Sequence, residues 1–291
     1  MQLTVLVDNN TFIDRYFLAE PGLSFLIEGE NSSVLFDTGY SDIFIKNAHK
    51  MGKNLAHLDF IVLSHSHLDH TWGLEPYLRY LTELAIEQQS FSRPALVAHP
   101  ESLTGVSADG LREIGSLISK DRLAKHLDLH LSKDPQFLTE NLIFLGEIPR
   151  TNDFEGIMAF GRKDGSDEAD RVIEDSALVY KTSKGLVIIT GCSHAGICNI
   201  IEYARKVCKG QTILDVIGGF HLLNPSKRQL EGTISYFKDL CPNSVYAGHC
   251  TDLASKIALS RVVNIKEVGV GLCLKYKKSE GPVYDVKKIM T

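Results

Sequence analysis

The feature that most constrains this chain is a cluster of three histidines and one aspartate directly after a short apolar strand. The strand, FIVL at residues 60–63, is followed by the segment SHSHLDH. Side chains alternate along an extended segment, so His65, His67 and Asp69 should point to one side, and a turn at His70 adds a fourth ligand from another direction. Imidazole and carboxylate groups suit zinc, manganese or iron. The spacing therefore predicts a transition-metal site at the end of a buried strand.

The rest of the chain alternates between predicted strands and predicted helices. Apolar runs and helical periodicity predict strands at residues 3–7, 24–28, 34–36, 60–63, 95–98, 142–145, 177–181, 186–190, 213–217 and 244–247, and helices at residues 43–51, 74–86, 199–207, 229–240 and 252–262. This order predicts an α/β (α+β) protein, a four-layer αββα sandwich in which residues 1–291 form a single domain of two αβ halves. The polar segment 163–168 is predicted to be an exposed loop.

The net charge indicates the kind of partner, and the spacing of the cysteines indicates their role. A formal net charge of -5 gives no basic footprint for nucleic acid or an anionic membrane, so a small molecule is the expected partner. The sequence shows neither a signal peptide pattern nor a long apolar span, which predicts a cytoplasmic protein. It contains no CxxC pair, so most of the six cysteines are predicted to be buried apolar residues. Cys192 and Cys250 adjoin candidate ligands. The sequence leaves the oligomeric state undetermined.

The segment HSHLDH resembles the HxHxDH signature of the metallo-β-lactamase superfamily, and LFDTG at residues 35–39 resembles the strand and turn that precede that signature. The resemblance implies two divalent transition-metal ions, zinc first, with manganese or iron as alternatives. It assigns His65 and His67 to the first ion, and Asp69 and His70 to the second.

The segment around Cys192 departs from that pattern. Residues 190–194 read TGCSH, where most members have a Thr-Gly-Asp whose carboxylate bridges the metals. A separate histidine on the preceding strand is also absent, since residues 146–150 read GEIPR. Cys192 is predicted to replace the carboxylate as a thiolate, which favours zinc or iron, or else to be a packing residue. His194 is predicted to be the missing third histidine, with a solvated turn residue as the alternative.

Two further histidines follow apolar strands. His249, in the segment YAGHC, resembles the last ligand of the superfamily, which assigns it to the second metal. His221, in GGFHL, has no general counterpart. The two glycines before it allow a close backbone approach to a ligand, so His221 is interpreted as a general acid, a phosphate contact or a metal ligand. A core histidine between Phe220 and Leu222 is the alternative.

These segments together are similar to the subgroup that includes dihydropterin-6-methyl-(ribofuranosyl)aminobenzene-phosphate synthase. The resemblance implies an enzyme that acts on a phosphorylated small molecule, with Asp69, His221 and Arg150 in catalytic roles. Arginine suits phosphate oxygens, so Arg150 and Glu155 are interpreted as substrate contacts, with a surface ion pair as the alternative. A metal-dependent phosphoester or other ester hydrolase and a non-catalytic metal-binding sensor are the competing functions.

Overall fold

A computed structural model describes residues 1–29, 31–108 and 110–277. The strands are β1 (Gln2–Val7), β2 (Ser24–Glu28), β3 (Ser33–Phe36), β4 (Phe60–Val62), β5 (Ala95–Ala98), β6 (Val106–Ser107), β7 (Asp128–Leu131), β8 (Gln136–Phe137), β9 (Leu142–Phe144), β10 (Arg162–Lys163), β11 (Ala177–Thr182), β12 (Gly185–Thr190), β13 (Ile213–Gly219), β14 (Ser244–Gly248) and β15 (Cys273–Lys275). The helices are α1 (Ile43–Lys50), α2 (Leu68–Thr71), α3 (Leu74–Ile86), α4 (Lys120–Leu123), α5 (Ile197–Val207), α6 (Lys227–Leu240) and α7 (Leu253–Leu259). Each longer predicted element is present within a few residues of its expected bounds.

Two sheets form the centre of the described structure. The first has the order β15-β1-β2-β3-β4-β5-β7, and the second has the order β14-β13-β12-β11-β9-β8. β15 pairs with β1, so the chain returns to the first sheet after completing the second. The predicted single domain extends to residue 291, and its last part, residues 278–291, lies outside the described residues. No helix in the described part of the chain is long and apolar enough to span a bilayer.

Three apolar layers separate the sheets and helices. Phe25, Phe36 and Phe144 belong to the layer between the two sheets. Phe44 of α1 and Tyr77 of α3 pack in a second layer on the first sheet. The third layer includes Ile200 of α5 and Phe237 of α6 and covers the second sheet. Strands buried on both faces are apolar over most of their length, as β12 is at residues 186–189. The predicted four-layer αββα sandwich is confirmed.

The prediction of an exposed loop at residues 163–168 is wrong for its first residue. Lys163 lies in β10, which pairs with β6, and its side chain is only 13% exposed. Its ammonium group forms ion pairs with Glu174 (2.7 Å) and Glu101 (2.6 Å). Burial alone would lower the pKa of Lys163, but Glu174 and Glu101 raise it. A polar sequence does not distinguish a solvated loop from a buried ion-pair network, because the burial of a lysine depends on carboxylates that other segments of the chain supply.

The strand ends determine where the functional side chains meet. β12, β13 and β14 run parallel to one another, so their carboxyl ends share one edge of the second sheet. Close packing at this edge requires glycine, since a Cβ on Gly218 would lie 2.0 Å from the Thr190 carbonyl oxygen. A Cβ on Gly219 would lie 2.6 Å from the Cys250 sulfur. The histidine segment after β4 meets this edge from the first sheet.

Candidate metal centre

Three imidazoles form one part of the centre. The ring centroids of His65, His67 and His194 are each 4.7 Å from the other two. One nitrogen from each ring lies within 4.8 Å of the others. The Nε2 atoms of His65 and His67 and both ring nitrogens of His194 are buried and have no hydrogen-bond partner among the described residues. Buried polar atoms are normally paired, so a shared ion is the natural partner for this set.

Asp69, His70, Cys192 and His249 form the other part. The Nε2 atoms of His70 and His249 are 3.2 Å apart, and each lies 3.2 Å from the Cys192 sulfur. An Asp69 carboxylate oxygen lies 3.3 Å from His249 Nε2 and 3.8 Å from His70 Nε2. Four potential ligand atoms therefore converge on one small volume.

These separations match the donor spacing of a tetrahedral metal site. Zinc bonds of about 2.0–2.3 Å place tetrahedral ligand atoms roughly 3.3–3.8 Å apart. The second set supplies one oxygen, two nitrogens and one sulfur at close to that spacing, whereas the first set supplies three nitrogens. The residues present therefore fit a closed four-ligand site beside a three-ligand site with one open position. Cys192 lies between the two, because its sulfur is also within 4.8 Å of a His65 nitrogen.

Hydrogen bonds to the Nδ1 atom orient three of the imidazoles. His70 Nδ1 lies 2.7 Å from a carboxylate oxygen of Asp37, and His249 Nδ1 lies 2.9 Å from the Asn9 side-chain oxygen. His65 Nδ1 lies 2.9 Å from the Ser64 hydroxyl. If each Nδ1 carries the proton and donates it, each Nε2 presents its lone pair to the centre.

Burial and charge set the protonation states expected at the centre. Burial lowers the pKa of His65 and His194 well below the usual histidine value, and it lowers the pKa of His67 to about 4. These three imidazoles are therefore neutral near pH 7, as metal ligands must be. Burial alone would lower the pKa of His249, but Cys250 and Asp69 raise it to about 9.

The pKa values of the Asp69 carboxyl group and the Cys192 thiol shift in opposite directions. Burial raises the pKa of Asp69, but His70 and His249 outweigh that effect and hold it below the usual value. Burial raises the pKa of the Cys192 thiol. A bound cation stabilises a thiolate ligand by removing this penalty. The Cys192 sulfur thus lies beside the candidate ligands His70 and His249, and its ligation stays a prediction.

His221 lies beside the three-histidine set. Its ring centroid is 4.3 Å from that of His194, and its Nδ1 is buried without a hydrogen-bond partner among the described residues. Its backbone is left-handed, with φ 49°, as is that of His249, with φ 45°. Such non-glycine conformations cost about 1–3 kcal/mol each and cluster at functional sites. The structure therefore places His221 at the centre without assigning it to either set of ligands.

Cys250 joins Cys192 and His221 in a third group of close donors. Its sulfur accepts a hydrogen bond from the His221 backbone N–H at 3.2 Å and lies 3.4 Å from the Cys192 carbonyl oxygen. These contacts connect the loops that follow β12, β13 and β14. Cys250 thereby helps to fix the positions of His221 and Cys192 relative to each other.

Arg150 and Glu155 bind the protein's own backbone, and neither forms an ion pair with any of the described residues, which is the alternative that the sequence left open. Arg150 donates to the carbonyl oxygens of Gly156 (2.8 Å) and Val172 (2.9 Å). Glu155 is 2% exposed and accepts from the Asn199 N–H of α5 at 2.8 Å. The structure thus gives both residues loop- and helix-anchoring contacts, and their interpretation as substrate contacts stays a prediction.

Sequence reasoning did not assign roles to several residues that surround the centre. Asp37 lies in the LFDTG segment, and Asn9 lies two residues after β1. No sequence pattern indicated a role for Phe160. Its ring centroid is 4.7 Å from that of His194 and 4.8 Å from that of His221. These roles depend on contacts between distant segments, which local patterns do not encode.

The Asn9 contact leads to a prediction about metal affinity. Asn9→Ala removes the acceptor for His249 Nδ1, so the ring loses its preferred orientation and tautomer. Loss of such an outer partner typically costs 10–100-fold in metal affinity, so we expect a weakening of about tenfold or more. Competition with a chromophoric chelator measures this, with the exposed Asn54→Ala as a control. Unchanged affinity in Asn9→Ala would contradict the orienting role.

Comparison with known proteins identifies the class. The family profile of the metallo-beta-lactamase superfamily matches residues 18–87. The chain is 32% identical over 267 residues to 7,8-dihydropterin-6-methyl-4-(beta-D-ribofuranosyl)-aminobenzene-5'-phosphate synthase of Methanocaldococcus jannaschii, covering 86% of this chain and 87% of that protein. This chain therefore belongs to the metallo-β-lactamase superfamily, as the HSHLDH resemblance indicated.

Further relatives cover nearly the whole chain. An uncharacterized protein of the same archaeon is 33% identical over 270 residues, covering 92% of this chain and 98% of its own. A solved structure described as Tm1679, a metal-dependent hydrolase of the beta-lactamase superfamily, has a TM-score of 0.77 at 28% identity and covers 96% of this chain and 100% of its own. Unliganded yeast PDE1 has a TM-score of 0.60 at 12% identity, with coverage of 94% and 98%, and shares the fold alone.

Proposed function

We propose that this protein is a metal-dependent enzyme that acts on a phosphorylated small molecule and uses two divalent transition-metal ions. The observation that carries the proposal is the pairing of a three-imidazole set with a four-ligand set that contains a sulfur. Structural zinc sites are closed, whereas catalytic sites keep one position for water or substrate. The three-histidine set would be the catalytic position, and the sulfur ligand favours zinc or iron over manganese.

Metal ions at these positions would supply Lewis-acid chemistry by neutralising charge that develops on phosphate oxygens. The protein's own groups supply orientation and a proton. Asp37, Asn9 and Ser64 fix the imidazoles before substrate binds, so little reorganisation accompanies reaction. His221 would donate a proton to the leaving oxygen, and the support for this role is its buried Nδ1, which no described residue binds.

The reaction class we favour is the transfer of a pterin-type group from a diphosphate to a second organic substrate. Its support is the identity to the archaeal synthase, which extends over most of both chains. Phosphoester hydrolysis is the second candidate, favoured by the similarity to a structure described as a metal-dependent hydrolase.

The experiment that separates these candidates compares substrates offered alone and together. Metal-loaded protein is incubated with a dihydropterin methyl diphosphate, with an aminobenzene ribosyl phosphate, with both, and with bis(p-nitrophenyl) phosphate. The transferase predicts diphosphate release only when both organic substrates are present. Release of p-nitrophenol from the diester alone would favour the hydrolase, and no turnover of any of these would contradict both candidates.

A further inference from the structure

Phe160 stands directly beside the three-histidine set. Its ring packs edge-to-face with His194 and His221, at interplanar angles of 67° and 84°, and lies 6.2 Å from the ring of His67. The side chain is only partly buried. Part of its ring surface therefore remains available next to the imidazoles that we propose as catalytic ligands.

The neighbouring chain segments expose further large apolar side chains. Ile157 and Met158, in the loop that carries Phe160, are 58% and 54% exposed. Leu223, two residues after His221, is 62% exposed. Apolar groups near a few polar anchors are typical of small-molecule pockets. These side chains belong to the segments that carry Phe160 and His221, and a phosphate alone would gain nothing from them, whereas a substrate with an apolar part would.

The loop that carries Phe160 is held by backbone contacts. The Phe160 N–H donates to the Asp170 carbonyl oxygen at 2.7 Å, and the Asp170 N–H donates to the Gly161 carbonyl oxygen at 2.9 Å. At the other end of the loop, Arg150 binds the Gly156 carbonyl oxygen. The ring is thus positioned before a ligand arrives, which reduces the entropy lost on binding.

We propose that Phe160 forms an aromatic subsite that selects substrates carrying a planar ring close to their phosphate or phosphonate group. The inference rests on the proposed function in one respect, because it takes the anionic group to bind at the metal centre. The phenyl ring stacks on the substrate ring beside the imidazoles of His194 and His221. Arg150 is a positioning residue for this loop.

Equilibrium binding of two phosphonates tests the subsite without any turnover. Phenylphosphonate and methylphosphonate carry the same anionic group, and only the first has a ring. Aromatic contacts are worth about 0.5–1.5 kcal/mol, or roughly a 2- to 12-fold affinity difference. We expect metal-loaded wild type to prefer phenylphosphonate by about 3- to 10-fold in titration calorimetry.

Variants at position 160 separate stacking from folding. In Phe160→Ala the ratio of phenylphosphonate to methylphosphonate affinity should fall close to one. In Phe160→Leu, which keeps the bulk of the side chain but has no π-face, the ratio should fall most of the way from its wild-type value to one. Phe160→Trp should retain it, and Ile86→Ala, at an exposed site on α3, should not change it. Metal content should equal that of wild type in every variant.

Two results would overturn the subsite: an unchanged preference in Phe160→Ala, or no preference in wild type. Because the measurement needs no reaction, absence of turnover with all the proposed substrates would contradict the proposed function and leave the ring preference intact. Absence of the preference in the wild type, with turnover of the proposed substrates, would contradict the subsite and leave the proposed function intact.

Discussion

Replacing Asp69 and His70 together with alanine is expected to lower the metal content from two ions per chain to one. These residues supply an oxygen and a nitrogen to the four-ligand set, whose donor atoms have nearly tetrahedral spacing. With Cys192 and His249 as the remaining ligands, the site should no longer retain its ion through purification. The three-histidine set stays intact and should keep its own. Elemental mass spectrometry of protein purified without added metal measures the change.

The thermal midpoint of the double variant should also fall, because an ion that binds only the folded state stabilises it. His70 binds the buried Asp37, so its loss could affect folding directly. Asp69→Asn is the milder companion variant, since it keeps that contact. The exposed His57→Ala serves as a control and should keep both ions. Wild-type metal content in the double variant would refute the ligand assignment.

His221→Ala is expected to depress turnover by about 100-fold or more while leaving the metal content unchanged. General acid catalysis typically contributes 10²–10⁴-fold, and His221 is the partly buried imidazole beside the three-histidine set that we assign as proton donor. His65→Ala should depress both quantities, because His65 belongs to that set. Comparing kcat and metal content for the two variants therefore distinguishes a proton donor from a ligand.

Equal metal loss in the two variants would make His221 a ligand and exclude the proton-donor role. Full activity in His221→Ala would remove the residue from the reaction. His221→Gln keeps a hydrogen-bonding side chain of similar length but cannot serve as a general acid, so it should be almost as inactive as the alanine variant. Recovery of activity in the glutamine variant would indicate a binding contact in place of proton transfer.

The fold was predictable because its signals are local. Apolar runs such as that of β12 and periodic patterns such as that of α3 lie within one segment, and they specify strands and helices without reference to the rest of the chain. β15 was missed because it is a short strand that pairs with β1, and the whole second sheet lies between the two in the sequence. Its pairing is determined by topology, and its composition gives little indication of it.

The metal-ligand candidates were only partly separable by sequence. The HSHLDH segment carries its own spacing, whereas Cys192 acquires its neighbours from His70, 122 residues away, and His249, 57 residues away. No local pattern distinguishes a packing cysteine from one at such a junction. Arg150 shows the same limit, because whether its guanidinium meets a ligand or backbone carbonyl oxygens depends on how residues 156 and 172 fold around it.

The convergence of both chain halves on one centre also has a mechanical consequence. His70 and His249 are separated by 179 residues, so an ion held by both would connect the two halves of the chain. Because such an ion binds the folded chain and not the unfolded one, its binding free energy stabilises this long-range contact. An ion bound there would thus be a contact between the two halves that a chelator can remove. Chelation should then accelerate global unfolding and expose the interface between the sheets before the individual halves lose their helices.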